Sequence, residues 1–84
     1  MSNVVFKNEE NISRSQISDK IRRIADSVEE GEINLKAGGE SVQLKPSEMC
    51  EFELKVEEES DGEISLEIEI EWNETEEEAN LEIG

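Results

Sequence analysis

Apolar residues recur along this chain with two spacings, and the change of spacing marks the elements. Val4 and Phe6 alternate with polar neighbours, which predicts a short first strand over Val4–Lys7. Asn8 to Asn11 is polar and reads as a turn. Ile17, Ile21, Ile24, Ala25 and Val28 then follow helical spacing and form one apolar stripe. Ser13 is a good N-cap, and Gln16 three residues on completes a capping box. Ile12 and Ile17 are placed to staple the first turn. Gly31 supplies a left-handed stop. The spacing predicts a helix from Arg14 to Glu30.

Beyond Gly31 the period falls to two. Ile33 and Leu35 alternate with Asn34 and Lys36, and Val42 and Leu44 alternate with Ser41, Gln43 and Lys45. Gly38-Gly39 between them suits a two-residue hairpin loop. That loop pairs Ala37 with Glu40, Leu35 with Val42 and Ile33 with Leu44, so apolar faces apolar. Pro46 interrupts the pattern. Cys50, Phe52, Leu54 and Val56 then share one face, as do Ile64, Leu66, Ile68, Ile70 and Trp72. A two-residue turn at Asp61-Gly62 would put Val56 opposite Glu67, the wrong parity. A three-residue loop, Ser60-Asp61-Gly62, repairs it with a type I turn and a left-handed Gly62. The pairs become Val56 with Leu66, Leu54 with Ile68, Phe52 with Ile70 and Cys50 with Trp72.

These elements predict an α+β domain over residues 1–73, with one amphipathic helix packed on a four- to five-stranded, mostly antiparallel sheet. The neighbour of the first strand is open, with a place beside the last strand preferred. Residues 74–84, opening Glu74-Thr75-Glu76-Glu77-Glu78, read as a flexible acidic tail. No internal repeat is visible.

Charge narrows the choice of partner. Eight Lys and Arg face 24 Asp and Glu, a formal net charge of −16. Such a surface repels nucleic acid and anionic membranes and attracts basic proteins and cations. The same acidity also serves solubility, with salt screening the repulsion. A hydrophobic fraction of 33% implies a thin core. Cys50 has no partner for a disulfide, which fits a reducing compartment. The first residues lack a signal-peptide pattern and no apolar run reaches transmembrane length, so a cytoplasmic protein is expected.

The run Ser65-Leu66-Glu67-Ile68-Glu69-Ile70-Glu71-Trp72 alternates strictly and ends in a tryptophan. With Leu35-Lys36-Ala37-Gly38-Gly39-Glu40-Ser41-Val42 before it and the capped helix ahead of both, the chain resembles the amphi-Trp domain family over roughly Val4 to Trp72. The resemblance implies a small, often stand-alone domain of unassigned activity. Many such relatives come from salt-adapted archaea, which suits the acidity. The glutamate and isoleucine here depart from the aspartate and alanine bias of extreme halophiles. The resemblance supplies a fold expectation and no mechanism.

Candidate chemistry is sparse. There is no His and no Tyr, which removes the commonest general acid–base residue and metal ligand. Alternation points Cys50 into the core, where a thiol is inert. Carboxylate pairs abound, but a small sheet offers little concavity in which to separate their pKa values. No catalytic residue, no metal site and no cofactor is expected, and the chain is read as a non-enzyme.

Binding candidates remain. The derived register sets Lys55 opposite Glu67, a favourable pair, and sets Glu53 opposite Glu69 and Glu51 opposite Glu71, which repel. Residues i and i+2 along each strand are about 6.6–6.8 Å apart, so Glu51, Glu53, Glu69 and Glu71 form a two-row carboxylate array. It could hold cations loosely, imitate a phosphate backbone, dock a basic partner or simply be solvated. Trp72 is either a binding hot spot or a lid on the core. Arg14, Lys20, Arg22 and Arg23 make the helix exterior the least acidic region, either as a contact for an anion or partner or as local partners for acids such as Asp19 and Asp26. The expected function is non-catalytic interaction with an unidentified protein of basic surface, without direct nucleic-acid or membrane binding and with the oligomeric state open. The alternatives are a nucleic-acid mimic that binds a basic protein and a weak cation-binding accessory protein of a salt-adapted cell.

Overall fold

The computed structural model describes residues 2–73. Ser13 opens the helix α1, Arg14–Glu30, with extended backbone. Its hydroxyl accepts from the Gln16 N–H at 3.1 Å, and the Gln16 side chain accepts from the Ser13 N–H at 3.0 Å. Two otherwise orphaned amide donors are thereby satisfied. At the other end Gly31 adopts φ 86°. The Glu32 N–H donates to the Ser27 carbonyl at 3.2 Å and the Gly31 N–H to the Val28 carbonyl at 3.1 Å. That is the Schellman arrangement, which only a residue tolerant of positive φ closes without strain.

Strands β1, Ile33–Ala37, and β2, Glu40–Leu44, form an antiparallel hairpin. The register is the expected one: Ile33 opposite Leu44, Leu35 opposite Val42, Ala37 opposite Glu40. Gly38 has positive φ and Gly39 does not, the order used by a type II′ turn. Helix α1 packs on β1, and the packing buries Ile33 to 6% exposure. Ile33 is the one hydrophobic core residue among those described.

Strands β3, Glu51–Glu58, and β4, Ile64–Glu71, form a second hairpin. Phe52 faces Ile70, Leu54 faces Ile68 and Val56 faces Leu66. The Glu59 N–H donates to the Glu63 carbonyl at 2.8 Å and the Gly62 N–H to the Glu59 carbonyl at 3.0 Å. Ser60-Asp61-Gly62 is therefore the loop, with Gly62 at φ 94°. Asp61 secures it, its side chain accepting from the Glu63 N–H at 3.0 Å, an Asx-type bond. The register ends at Glu51 with Glu71, so Cys50 and Trp72 lie one position beyond the paired strands.

Three expectations are corrected. The strands form two separate two-stranded sheets, not one sheet of four or five. Turn and alternation fix pairing within a hairpin, whereas pairing between hairpins needs an edge-to-edge match that no local pattern encodes. Val4–Lys7 is not a strand; Val4 and Val5 are 81% and 75% exposed, and so short a segment gains little from one ladder. Cys50 is exposed rather than buried in a core, because alternation assigns a face without covering it. The chain divides into two compact units between Lys45 and Pro46. The acidic segment 74–84 lies outside the described residues.

The end geometry of α1 sets a test. Ser13→Ala should cost about 1 kcal/mol, and Gly31→Ala about 1–2 kcal/mol because alanine must enter the left-handed region. Urea unfolding followed by helical circular dichroism checks both. Equal stability of Gly31→Ala and the parent would contradict the observed φ.

Candidate functional site

The second hairpin has two faces of opposite chemistry. Strict alternation places every second residue on one side, and the three-residue loop aligns the sides of the two strands. One face carries Glu51 opposite Glu71, Glu53 opposite Glu69 and Lys55 opposite Glu67. The expected array is thus brought together. Lys55 is its only cation, and its ammonium reaches Glu67 at 3.8 Å and Glu57 at 3.9 Å. These exposed pairs contribute little stability individually.

The crowding shows in the protonation of two members. A hydrogen bond with Glu53 raises Glu69 above the ordinary glutamate value, followed by desolvation and by the charges of Glu53 and Glu67, against the opposing effect of Lys55. A hydrogen bond with Glu51 raises Glu71 likewise, aided first by the charges of Glu69 and Glu51. In each pair a protonated carboxyl can donate to its ionised neighbour, which favours the neutral form. Among the described residues no group of three or more His, Cys, Asp or Glu is arranged to hold a metal ion.

The opposite face is open and, apart from Glu58 opposite Ile64, apolar. Phe52, Leu54, Val56, Ile64, Leu66 and Ile68 are between 49% and 67% exposed. Ile70 and Trp72 are half-buried. Trp72 follows the last paired residue of β4, and alternation puts it at the end of this apolar face. The exposed Cys50 thiol donates to the Ser47 carbonyl at 3.1 Å.

The first unit holds a feature the sequence did not single out as a whole. A cleft of about 330 Å³ is lined by Phe6, Asn8, Lys20, Arg23, Ile24, Ser27 and residues 33–36. Lys20 and Arg23 were visible as helix cations; that they line one cleft with Lys36 depends on how α1 packs against β1. Elsewhere on the helix Arg22 pairs with Asp19 at 3.2 Å.

Fold and faces together define a small acidic α+β domain built around an amphipathic hairpin that ends in tryptophan. The chain belongs to the Amphi-Trp domain family, whose model matches residues 1–84. Comparison with curated proteins gives no match, and comparison with solved structures gives none. No helix among the described residues is long and apolar enough to cross a membrane.

The raised groups give stability a definite pH dependence. Because Glu69 and Glu71 hold protons more tightly folded than unfolded, the folded state binds more protons in that range. Stability then falls as pH rises from the ordinary glutamate value through the raised folded values, and is flat above them. The melting temperature should increase on mild acidification from neutral pH, most at low salt. The Debye length is about 30 Å at 0.01 M salt and about 3 Å at 1 M, so added salt should also stabilise. Glu69→Lys should raise the melting temperature at low salt and lose that advantage at high salt. A salt-independent melting temperature would mark a face already neutralised by bound cations.

Proposed function

We propose that this domain is a non-catalytic protein-interaction module that docks through the apolar face of β3–β4, with Trp72 at its rim. The carrying observation is the exposure of Phe52, Leu54, Val56, Ile64, Leu66 and Ile68 side by side on one hairpin. Contiguous apolar surface of this kind marks interaction sites, and an isolated two-stranded hairpin is marginal without a covering surface. The acidic face behind it steers encounter toward partners of basic surface. A lone exposed Cys50 suits work in the cytoplasm, where thiols stay reduced.

A second reading rests on the paired rows Glu51/Glu71 and Glu53/Glu69. They present regularly spaced carboxylates on a stiff support, as a nucleic-acid mimic engaging a basic protein would.

Photo-crosslinking separates the two. A photoreactive residue at Leu54 or Leu66 should trap a partner in cells, and one at Glu53 or Glu69 should not. The reverse pattern favours the mimic, and adducts confined to the single chain overturn the docking proposal. With the partner in hand, Trp72→Ala should weaken binding by about 2 kcal/mol or more, as a hot spot does, while the chain still unfolds cooperatively near the parent temperature. Loss of binding only through unfolding would make Trp72 a packing residue.

A further inference from the structure

We propose that the cleft between α1 and β1 is a binding site for a small organic anion, with a carboxylate or phosphate head and a compact apolar body. Charge carries the argument first. Of the 84 residues 24 are acidic, yet among the described residues no acid lines the cleft, while Lys20, Arg23 and Lys36 do. Three of the chain's eight cationic residues thus line one concavity. Lys20 is engaged with Glu10 at 3.5 Å. Arg23 and Lys36 make no ion pair among the described residues. Their charge is therefore free for an anion, and a guanidinium fork suits a carboxylate or phosphate.

The backbone adds donors. The hairpin closes at Ala37 with Glu40, and among the described residues β1 has β2 on one edge only. In a two-residue hairpin the closing pair exchanges hydrogen bonds, and such pairs alternate along the ladder. Ala37, Leu35 and Ile33 therefore bond to β2, and the N–H groups of Asn34 and Lys36 turn to the free edge, where both residues line the cleft. Asn8 and Asn34 also line the cleft. Ser27 does not add a donor, since its hydroxyl already donates to the Arg23 carbonyl at 3.0 Å. Phe6, Ile24 and Leu35 flank the buried Ile33 and offer an apolar bed. The volume, about 330 Å³, is at the lower end of small-ligand sites, which selects a compact body.

The test titrates the full chain with phenyl phosphate and follows backbone amides by NMR. Saturable shifts are expected at Asn34 and Lys36 and in the helix turn around Arg23. Inorganic phosphate, which lacks the body, and benzyl alcohol, which lacks the charge, should each bind at least about tenfold more weakly. Benzoate resolves the head: equal affinity assigns the site to organic anions generally, weaker affinity to phosphates. The double variant Arg23→Gln, Lys36→Gln should weaken phenyl phosphate at least about tenfold. Arg22→Gln, on the Asp19 side of the helix, should leave it within about twofold. Should the double variant fold poorly, Lys36→Gln alone, at an exposed strand position, should still weaken binding severalfold. No saturable shift, benzyl alcohol binding as well as phenyl phosphate, or affinity unchanged in these cleft variants would each overturn the proposal.

Discussion

The turn at Ser60-Asp61-Gly62 sets the parity of the second hairpin, and nearly every surface property of that unit follows from it. Strand side chains alternate with period two, so a loop one residue shorter would move one whole strand to the other face. Gly62 at positive φ absorbs the extra residue, and Asp61 holds the turn through the Glu63 N–H. With that parity, Phe52, Leu54 and Val56 meet Ile70, Ile68 and Leu66, and Glu51 and Glu53 meet Glu71 and Glu69 across the other side. The apolar face and the carboxylate array are one constraint seen from two sides.

That constraint carries an electrostatic cost. Aligning the apolar residues forces Glu51 against Glu71 and Glu53 against Glu69, and only the third rung, with Lys55, is favourable. The raised proton affinities of Glu69 and Glu71 are the local response. Side-chain exposure limits the cost, since water and salt screen the pairs. The first unit handles charge differently. Arg22 pairs with Asp19 within its helix, and Arg23 and Lys36, which line the cleft, make no ion pair among the described residues.

Features whose cause is local were legible from the residues alone. Ser13 and Gln16 mark one helix end and Gly31 the other because caps act within a turn of chain. Both hairpin registers followed from loop length and alternation, down to the glutamate pairs of the acidic array. What failed was non-local. Val4 and Phe6 alternate like a strand, but no sequence feature supplied them with a partner ladder. Neither Pro46 nor the strand edges say which hairpin should pair with which. Alternation gave Cys50 its face but not its exposure. Lys36 looked like an ordinary outward residue of β1, and that it lines one cleft with Arg23, Phe6 and Asn8 is a product of tertiary packing.

Burial connects these observations. A large apolar side chain contributes about 1.5–3 kcal/mol when removed from water, and the second hairpin leaves most of its apolar residues largely exposed. Ladder hydrogen bonds alone do not make a two-stranded hairpin stable in water. Any surface that covers Phe52, Leu54 and Val56 therefore supplies burial that the hairpin lacks by itself, and binds the ordered form in preference to the disordered one. By mass action the strength of that covering contact adds directly to the stability of the hairpin. Ordering of β3–β4 and occupation of its apolar face are then two readings of a single equilibrium. The acidic face shifts that equilibrium from behind, because ordering the strands is what brings Glu51 to Glu71 and Glu53 to Glu69.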